Sequence, residues 1–413
     1  MRTFLYLTHE IPWPLDAGHK VRSQQIVDAF SQLGQVYVAG FAELPKGAPS
    51  EGVAGALVKR RDLRLRRRPV RLALALMASF VRGEPYSLSK FVDRAFERDL
   101  EALIEAVQPD CIVSTLFMLQ ALPPMSGRRP AIILDSHNIE HRLWEDFLGA
   151  APAFLRPFMR REAALLSARE HAAWAAVDGV IAICEDDAAV IAPHAATPVV
   201  VPVALPDIQG RALASRAFDV GLIGVWSWAP NEDGLAWFAK EILPRLRERG
   251  LSVGVAGKGV SAATARRLRR GGATLLGYVE NVADFYGSVK VIAAPYRRGG
   301  GVRMKVVEAI GHGAPVVGTA LAFRGVDGLG DMPRATSAAE MVEQLEALVR
   351  SPNADAEADM RRVQVSRRHG GEQPPASAVP HRRSTRVTAN SGCESGAGTG
   401  PSWTCLQGKD CSA

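Results

Sequence analysis

The chain predicts an α/β fold made of two open parallel-sheet domains in tandem. Three observations predict it. Residues 1–41 run apolar strand, Pro/Gly loop, periodic helix, apolar strand. A second series of the same kind starts afresh at Phe218. Within it, a glycine-rich loop at Gly299–Gly301 joins a strand to a helix, the pattern of an anion-binding turn.

The elements follow in order. Thr3–Thr8 reads as a short buried strand, Ile11–Gly18 (IPWPLDAG) as a loop, Val21–Leu33 as a helix and Val36–Phe41 as a returning strand. Further strands are predicted at Cys111–Thr115, Ala131–Asp135 and Val177–Cys184, with helices at Asp93–Val107 and Phe158–Ala176. Val199–Pro202 leads into a linker near Pro206–Arg216. The second series places strands at Asp219–Gly224, Ser252–Ala256, Thr274–Gly277, Val289–Ala294 and Pro315–Thr319. Its helices are Leu235–Arg247, Ala262–Arg270, Val282–Gly287, Val302–Gly311 and Ala338–Arg350. The domains are thus 1–207 and 208–350, with a cleft between their strand C-termini, where ligands bind in such sheets. From about Ser351 apolar periodicity fades and Ser, Gly, Pro and Arg accumulate. Residues 351–413 read as a disordered tail whose composition suggests a frameshifted or replaced C-terminus.

Composition bounds the function. The net charge of +7 is concentrated in Lys59–Arg71 (KRRDLRLRRRPVR), with eight basic residues and one acid. The remainder is nearly balanced, which argues against a general nucleic-acid binder. The basic run merges into Leu72, Leu74, Leu76, Met77 and Phe80. It reads either as an interfacial helix on anionic lipid, interrupted by Pro69, or as a solvated basic face. The longest apolar run, Leu72–Val81, is too short to span a bilayer. No signal peptide is expected, because His9 and Glu10 follow FLYL at once. Cys111 and Cys184 lie in apolar runs as core thiols, and Cys393, Cys405 and Cys411 have no metal spacing, which fits a reducing cytoplasm.

Chemistry concentrates at a few places. Gly299, Gly300 and Gly301 precede the periodic Val302, Met304, Val306, Val307, Ala309 and Ile310. Arg303 and Lys305 add positive charge to the first turn, against the helix dipole, and a bound anion would explain them. The alternative is a tight turn before a surface-charged helix. ILDSHNIEH sets Asp135, His137, Asn138 and Glu140 just after an apolar strand. His137 and His141 are not in an H-E-x-x-H arrangement, and no metal is predicted. In the first loop, Gly18 allows close backbone approach, and Lys20 and Arg22 suit phosphate or a solvated helix start. Gly257-Lys258-Gly259 suits either a diphosphate or a plain turn, and Asn231 suits an N-cap.

P-x-x-x-G-G-G-x-R-x-K-x-x-E-A from Pro295, then G-x-P-V-V-G-T and G-V-D-G ending at Gly328, resembles the donor-site signature of GT-B glycosyltransferases of the retaining family four, group 1. The likeness covers roughly residues 1–350 in order of elements and is sharpest over 218–328. It implies the GT-B fold, two Rossmann-like domains facing across a cleft. It implies a metal-independent, cofactor-free transferase that moves a sugar from a nucleoside diphosphate sugar to a hydroxyl of a glycan or lipid-linked acceptor. Glu308 would hold the donor ribose. The amides of Gly299, Gly300, Gly301 and Val302, with Arg303 and Lys305, would hold the diphosphate. His137 would lie near the reactive face of the sugar, oriented by Asp135 and Glu140. Gly18, Gly224 and Lys258 would approach the phosphates, and Tyr278 would sit where backbone meets the nucleobase. WxxPN (Trp228, Pro230, Asn231) and the glycine-rich loop resemble a branch linked to cell-surface polysaccharide genes, working in the cytoplasm or on the inner face of the membrane. Two departures stand out. Gly300 replaces a Glu of the common form, which leaves the transferred sugar open, and the basic residues usual after Gly224 are missing. A nucleotide-sugar 2-epimerase of the same fold and a non-catalytic nucleotide-sugar-binding protein are the rival readings. A dinucleotide oxidoreductase is disfavoured, because no G-x-G-x-x-G follows the first strand.

Overall fold

The computed structural model describes residues 1–15, 17–42, 52–61, 69–125, 127, 129–149, 151–195, 197–204, 216–326 and 332–369. Most of the basic run (62–68), the linker 205–215, Gly328 and the tail from residue 370, with its three cysteines, lie outside the described residues.

The first domain is a seven-stranded sheet in the order β3-β2-β1-β4-β5-β6-β7. Its strands are β1 (Arg2–Thr8), β2 (Gly34–Ala42), β3 (Val53–Arg60), β4 (Cys111–Ser114), β5 (Ala131–Ser136), β6 (Gly179–Ala182) and β7 (Val199–Val200). Every pairing is parallel. Its helices are α1 (Gly18–Ser31), α2 (Pro69–Arg82), α3 (Tyr86–Ser89), α4 (Arg94–Val107), α5 (Glu140–Leu148), α6 (Arg156–Ala176) and α7 (Glu185–Ile191). Helices on both faces explain why β1 is continuously apolar from Phe4 to Leu7. Phe4 and Tyr6 pack on one side with Val27 and Phe30, and Leu5 and Leu7 on the other with Phe96 and Leu100. Asp93 caps α4 by accepting from the Ala95 and Phe96 amides. Cys111 and Cys184 are buried thiols, and burial pushes both to about 12.

The second sheet has five parallel strands in the order β10-β9-β8-β11-β12. These are β8 (Phe218–Val225), β9 (Val253–Lys258), β10 (Thr274–Gly277), β11 (Val289–Ala294) and β12 (Val316–Gly318). Helix α8 (Ala229–Trp237) continues through a π-turn at Phe238–Ile242 into α9 (Leu243–Glu248). Then come α10 (Ala262–Arg270), α11 (Val282–Ser288), α12 (Met304–Gly311), α13 (Ala338–Arg350) and α14 (Ala354–His369). In both sheets the strand order reverses beside the first strand, between β1 and β4 and between β8 and β11, and a doubly wound sheet opens its crevice there. Ile183 and Cys184, just after β6, pack into the core of the second domain, and Arg324 pairs with Asp186 of α7 at 3.3 Å.

Helix α14 corrects one expectation. The tail was to be structureless from Ser351, yet Ala354–His369 is helical and packs on α12. Among the described side chains of α14, Ala354, Ala358 and Val365 are buried, and Asp355 pairs with Arg216. Small apolar residues among many charged ones leave a faint periodic signal, which is why composition alone does not show the helix. Gly313, at φ +64, lets the helix approach, since a Cβ there would come within 2.5 Å of Asp359 Oδ1. Val365→Asp puts an unpaired charge at this contact and should lower unfolding free energy by more than about 2 kcal/mol in a denaturant titration.

Candidate active site

The glycine loop leaves β11 at the second crevice and ends at Arg303, the N-cap position of α12. Gly299 (φ +102) and Gly301 (φ +71) are left-handed, conformations that side chains disfavour. A Cβ at 301 would overlap Asn138 Oδ1 and lie 3.3 Å from the His137 carbonyl oxygen. The loop is therefore pressed against residues 137–139, which follow β5 of the first domain. The same approach recurs where a Cβ on Gly18, at the start of α1, would lie 2.6 Å from Met304 Cγ. The Gly299 amide donates across the cleft to Asp146 Oδ2 at 3.0 Å.

Arg303 is buried beneath this loop and donates to the carbonyls of Gly300 (3.0 Å), Arg298 (3.1 Å) and Gly299. Its guanidinium also lies 5.2 Å from the Tyr296 ring centroid, and burial draws its pKa down. It thus braces the loop from inside, whereas the sequence pattern set it facing an anion. Lys305 and Glu308 stay partly exposed and pair with each other, Nζ lying 3.0 Å from Oε1 and 2.7 Å from Oε2. The buried Tyr286 hydroxyl reaches Glu308 Oε2 at 3.3 Å and the Lys305 carbonyl at 3.2 Å, which fixes the first turn of α12. Val302 packs against the domain core.

The other donor-side candidates are spread over the C-terminal ends of β8, β9 and β10. A Cβ on Gly224 would meet the Trp226 ring at 3.3 Å, and Trp226 Nε1 donates to the Ala256 carbonyl at 2.8 Å. Asn231 is not an N-cap. Trp228 occupies that position, and the Asn231 side-chain Nδ2 donates back to the Val225 carbonyl at 2.9 Å. The Lys258 ammonium lies 5.6 Å from the Tyr278 ring centroid, at the ends of β9 and β10 and at least two strands from β11. Gly18, His137, the three glycines, Arg303, Lys305 and Glu308 are brought together, while Lys258 and Tyr278 form a separate pair.

His137 belongs to a buried network. Its Nε2 pairs with Asp135 Oδ2 at 2.8 Å, and the Tyr6 hydroxyl lies 3.0 Å from both Ser23 Oγ and Asp135 Oδ2. Arg22 completes the group, 3.4 Å from Asp135 Oδ1, and donates to the Val201 carbonyl at 2.6 Å. Burial alone would raise the Asp135 carboxyl, but His137 and Arg22 outweigh it and hold the group at about 2. The phase of α1 turns Arg22 inward, so it does not face the cleft as the sequence reading suggested. Lys20 pairs with Glu10 at 2.9 Å.

The sequence reading passed over His9, Glu10 and Lys90. His9 lies among His19, Phe91 and Phe117, with ring centroids 5.2, 5.4 and 5.1 Å away, and burial pushes its pKa well below the usual histidine range. The signal was available, because His9-Glu10 follow an apolar strand just as His137 does. Lys90, its pKa lowered by burial, feels Glu140. Glu140 does not hold His137. Its carboxylate accepts from Asn138 Nδ2 at 3.3 Å, and burial and then Glu170 push it up to about 7. Glu170 meanwhile caps α5 by accepting from the Glu140 and His141 amides at 2.8 and 2.9 Å.

Two predictions follow from this geometry. Gly301→Ala forces a left-handed backbone and a clash with Asn138, and should destabilise the protein by about 1–3 kcal/mol, read as a lowered Tm. Glu140 is raised above its ordinary 4.5, so the native state holds this proton more tightly than the unfolded chain. Its contribution to stability is whole below pH 4.5 and is lost as pH rises to about 7. The slope is at most about 1.4 kcal/mol per pH unit. Glu140→Gln should flatten that decline in denaturant titrations across the same range.

Residues 217–351, the second domain, match the family described as Glycosyl transferases group 1. No curated protein sequence matches the chain. Among solved structures, sucrose-phosphate synthase from Thermosynechococcus elongatus superposes with a TM-score of 0.62 at 13% identity, over 89% of this chain and 94% of its own. WaaG, a glycosyltransferase involved in lipopolysaccharide biosynthesis, does so with a TM-score of 0.60 at 15% identity, over 91% and 98%. S. aureus TarM, solved in complex with UDP, gives a TM-score of 0.52 at 13% identity over 65% of this chain, which spans only 55% of TarM. The chain has the GT-B glycosyltransferase fold, and its second domain is similar to the group 1 glycosyl transferases.

Proposed function

We propose that this protein is a glycosyltransferase that moves a sugar from a nucleoside diphosphate sugar to a hydroxyl acceptor. The observation that carries the reading is the Lys305–Glu308 pair, which runs from the first turn of α12 into the second, directly behind a left-handed glycine loop that is pressed against the first domain. A carboxylate suits a pair of ribose hydroxyls, while an ammonium and helix-terminal amides suit a diphosphate. The pair would then separate its duties when donor binds, Glu308 going to the ribose and Lys305 to the phosphates. Catalysis would rest on stabilising charge on the departing diphosphate, with retention at the anomeric carbon and no metal. Arg303 would act by holding the loop in shape. His137, fixed by Asp135, would meet the sugar from the other domain. Anabaena HepE, solved in complex with UDP, has the same fold and supports a nucleotide donor.

The acceptor would be a glycan or lipid-linked glycan of cell-surface polysaccharide or glycolipid synthesis. Helix α2 supports a peripheral position on the inner face of the membrane. Met77, Phe80 and Val81 are exposed on one helical stripe, and the Arg161 guanidinium lies 4.2 Å from the Phe80 ring centroid. No helix among the described residues is long and apolar enough to cross a membrane.

Thermal unfolding with a panel of nucleoside diphosphates tests the reading. One base should stabilise the protein, by about 2.7 kcal/mol at a hundredfold excess over Kd. Glu308→Ala should abolish the shift, and Lys305→Ala should lower turnover more than affinity. No shift with any nucleoside diphosphate would reject the assignment.

A further inference from the structure

The glycine loop already holds a carboxylate. The Gly299 amide donates to Asp146 Oδ2 at 3.0 Å, joining residues 153 apart in sequence. Asp146 sits near the C-terminal end of α5 in the first domain, and the amide belongs to the second. Among the described residues Asp146 has no other hydrogen bond or ion pair, so it is not spent on a surface cation. Its charge is felt by Arg303, which lies beneath the same loop. Gly299 itself is left-handed at φ +102, which fixes the backbone that offers this amide. A carboxylate and a phosphoryl oxygen have the same acceptor chemistry, and a loop amide takes either. Two such anions repel at these distances and cannot share one N–H.

We propose that Asp146 gates the glycine loop, its carboxylate occupying the amide that a phosphoryl oxygen of the donor takes. Donor entry then expels Asp146 and frees α5 from the loop, which links occupancy of the second domain to the position of the first. This rests on the nucleotide-sugar reading above and adds to it a competing group within the chain.

Asp146→Asn keeps a carbonyl oxygen for the Gly299 amide and removes only the charge, so fold and loop are preserved. Calorimetric titration of the full chain compares a nucleoside diphosphate, inorganic pyrophosphate and the uncharged nucleoside. In Asp146→Asn both anions should bind at least about threefold more tightly, the nucleoside should be unaffected, and added salt should shrink the gain. Glu145→Gln, the same charge change on the exposed neighbouring residue, should bring no comparable gain. Equal or weaker anion binding in Asp146→Asn overturns the gate, as does an equal gain in Glu145→Gln. If both forms bind the nucleoside diphosphate equally, the gate falls and the transferase reading stands. If neither form binds it while pyrophosphate tightens, the gate stands and the transferase reading falls. No binding of either anion to either form overturns the gate.

Discussion

The site depends on one close approach, Gly301 against Asn138. At φ +71, with the Asn138 side-chain oxygen filling the space of a Cβ, residue 301 strongly favours glycine. That contact lays the loop of the second domain on the strand-end loop of the first. It brings the Gly299 amide within reach of Asp146 and points the start of α12 at the mouth of the first sheet. Arg303 completes the arrangement from below, because its guanidinium gathers carbonyls that a left-handed loop leaves without ladder partners. The loop is thus braced from both sides, the preorganisation that the proposed anion site would need.

The first domain reaches rigidity by another route, through charge buried where it is costly. Asp135 is a fully buried carboxylate that stays ionised because Arg22, His137 and Tyr6 surround it. These partners come from α1, β1 and the end of β5, so the network ties three elements and sets the His137 ring against the cleft. A few residues on, Glu140 meets the opposite environment, with burial and a neighbouring carboxylate. Two acids five positions apart are therefore held at about 2 and about 7. Such divergence comes from opposite surroundings within one strand-end loop, cations about Asp135 and a second carboxylate beside Glu140.

The two sheets were legible in the sequence because buried parallel strands are continuous apolar runs between turn residues. β3 was not, because Val53–Arg60 sits at the sheet edge, is only half-buried and ends in Lys59 and Arg60, so it read as the start of a basic segment. Lys305 and His137 were legible as polar groups at the ends of apolar elements, and Glu308 only through the resembled signature. The directions of Arg22 and Arg303 were not, because a helix or loop phase of one residue turns a cation from solvent into the core. Asp146 was invisible for a plainer reason. Its partner is a backbone amide 153 residues away, and backbone leaves no trace in side-chain patterning.

The glycines of the loop look equivalent in sequence, and the structure separates them. Gly299 and Gly301 are demanded by backbone conformation, and Gly301 also by Asn138. Gly300 is demanded by neither. Its φ lies outside the left-handed region, and a Cβ there would approach only the Ile139 carbonyl oxygen, at 3.9 Å. The chain path would accept a Cβ at 300, so glycine there is not required by backbone conformation. Space is left on the loop where the common form of the resembled signature carries a glutamate. On the proposed function, a donor at this loop would meet backbone at residue 300, and shape and the flanking amides would have to set selectivity in place of a charged side chain.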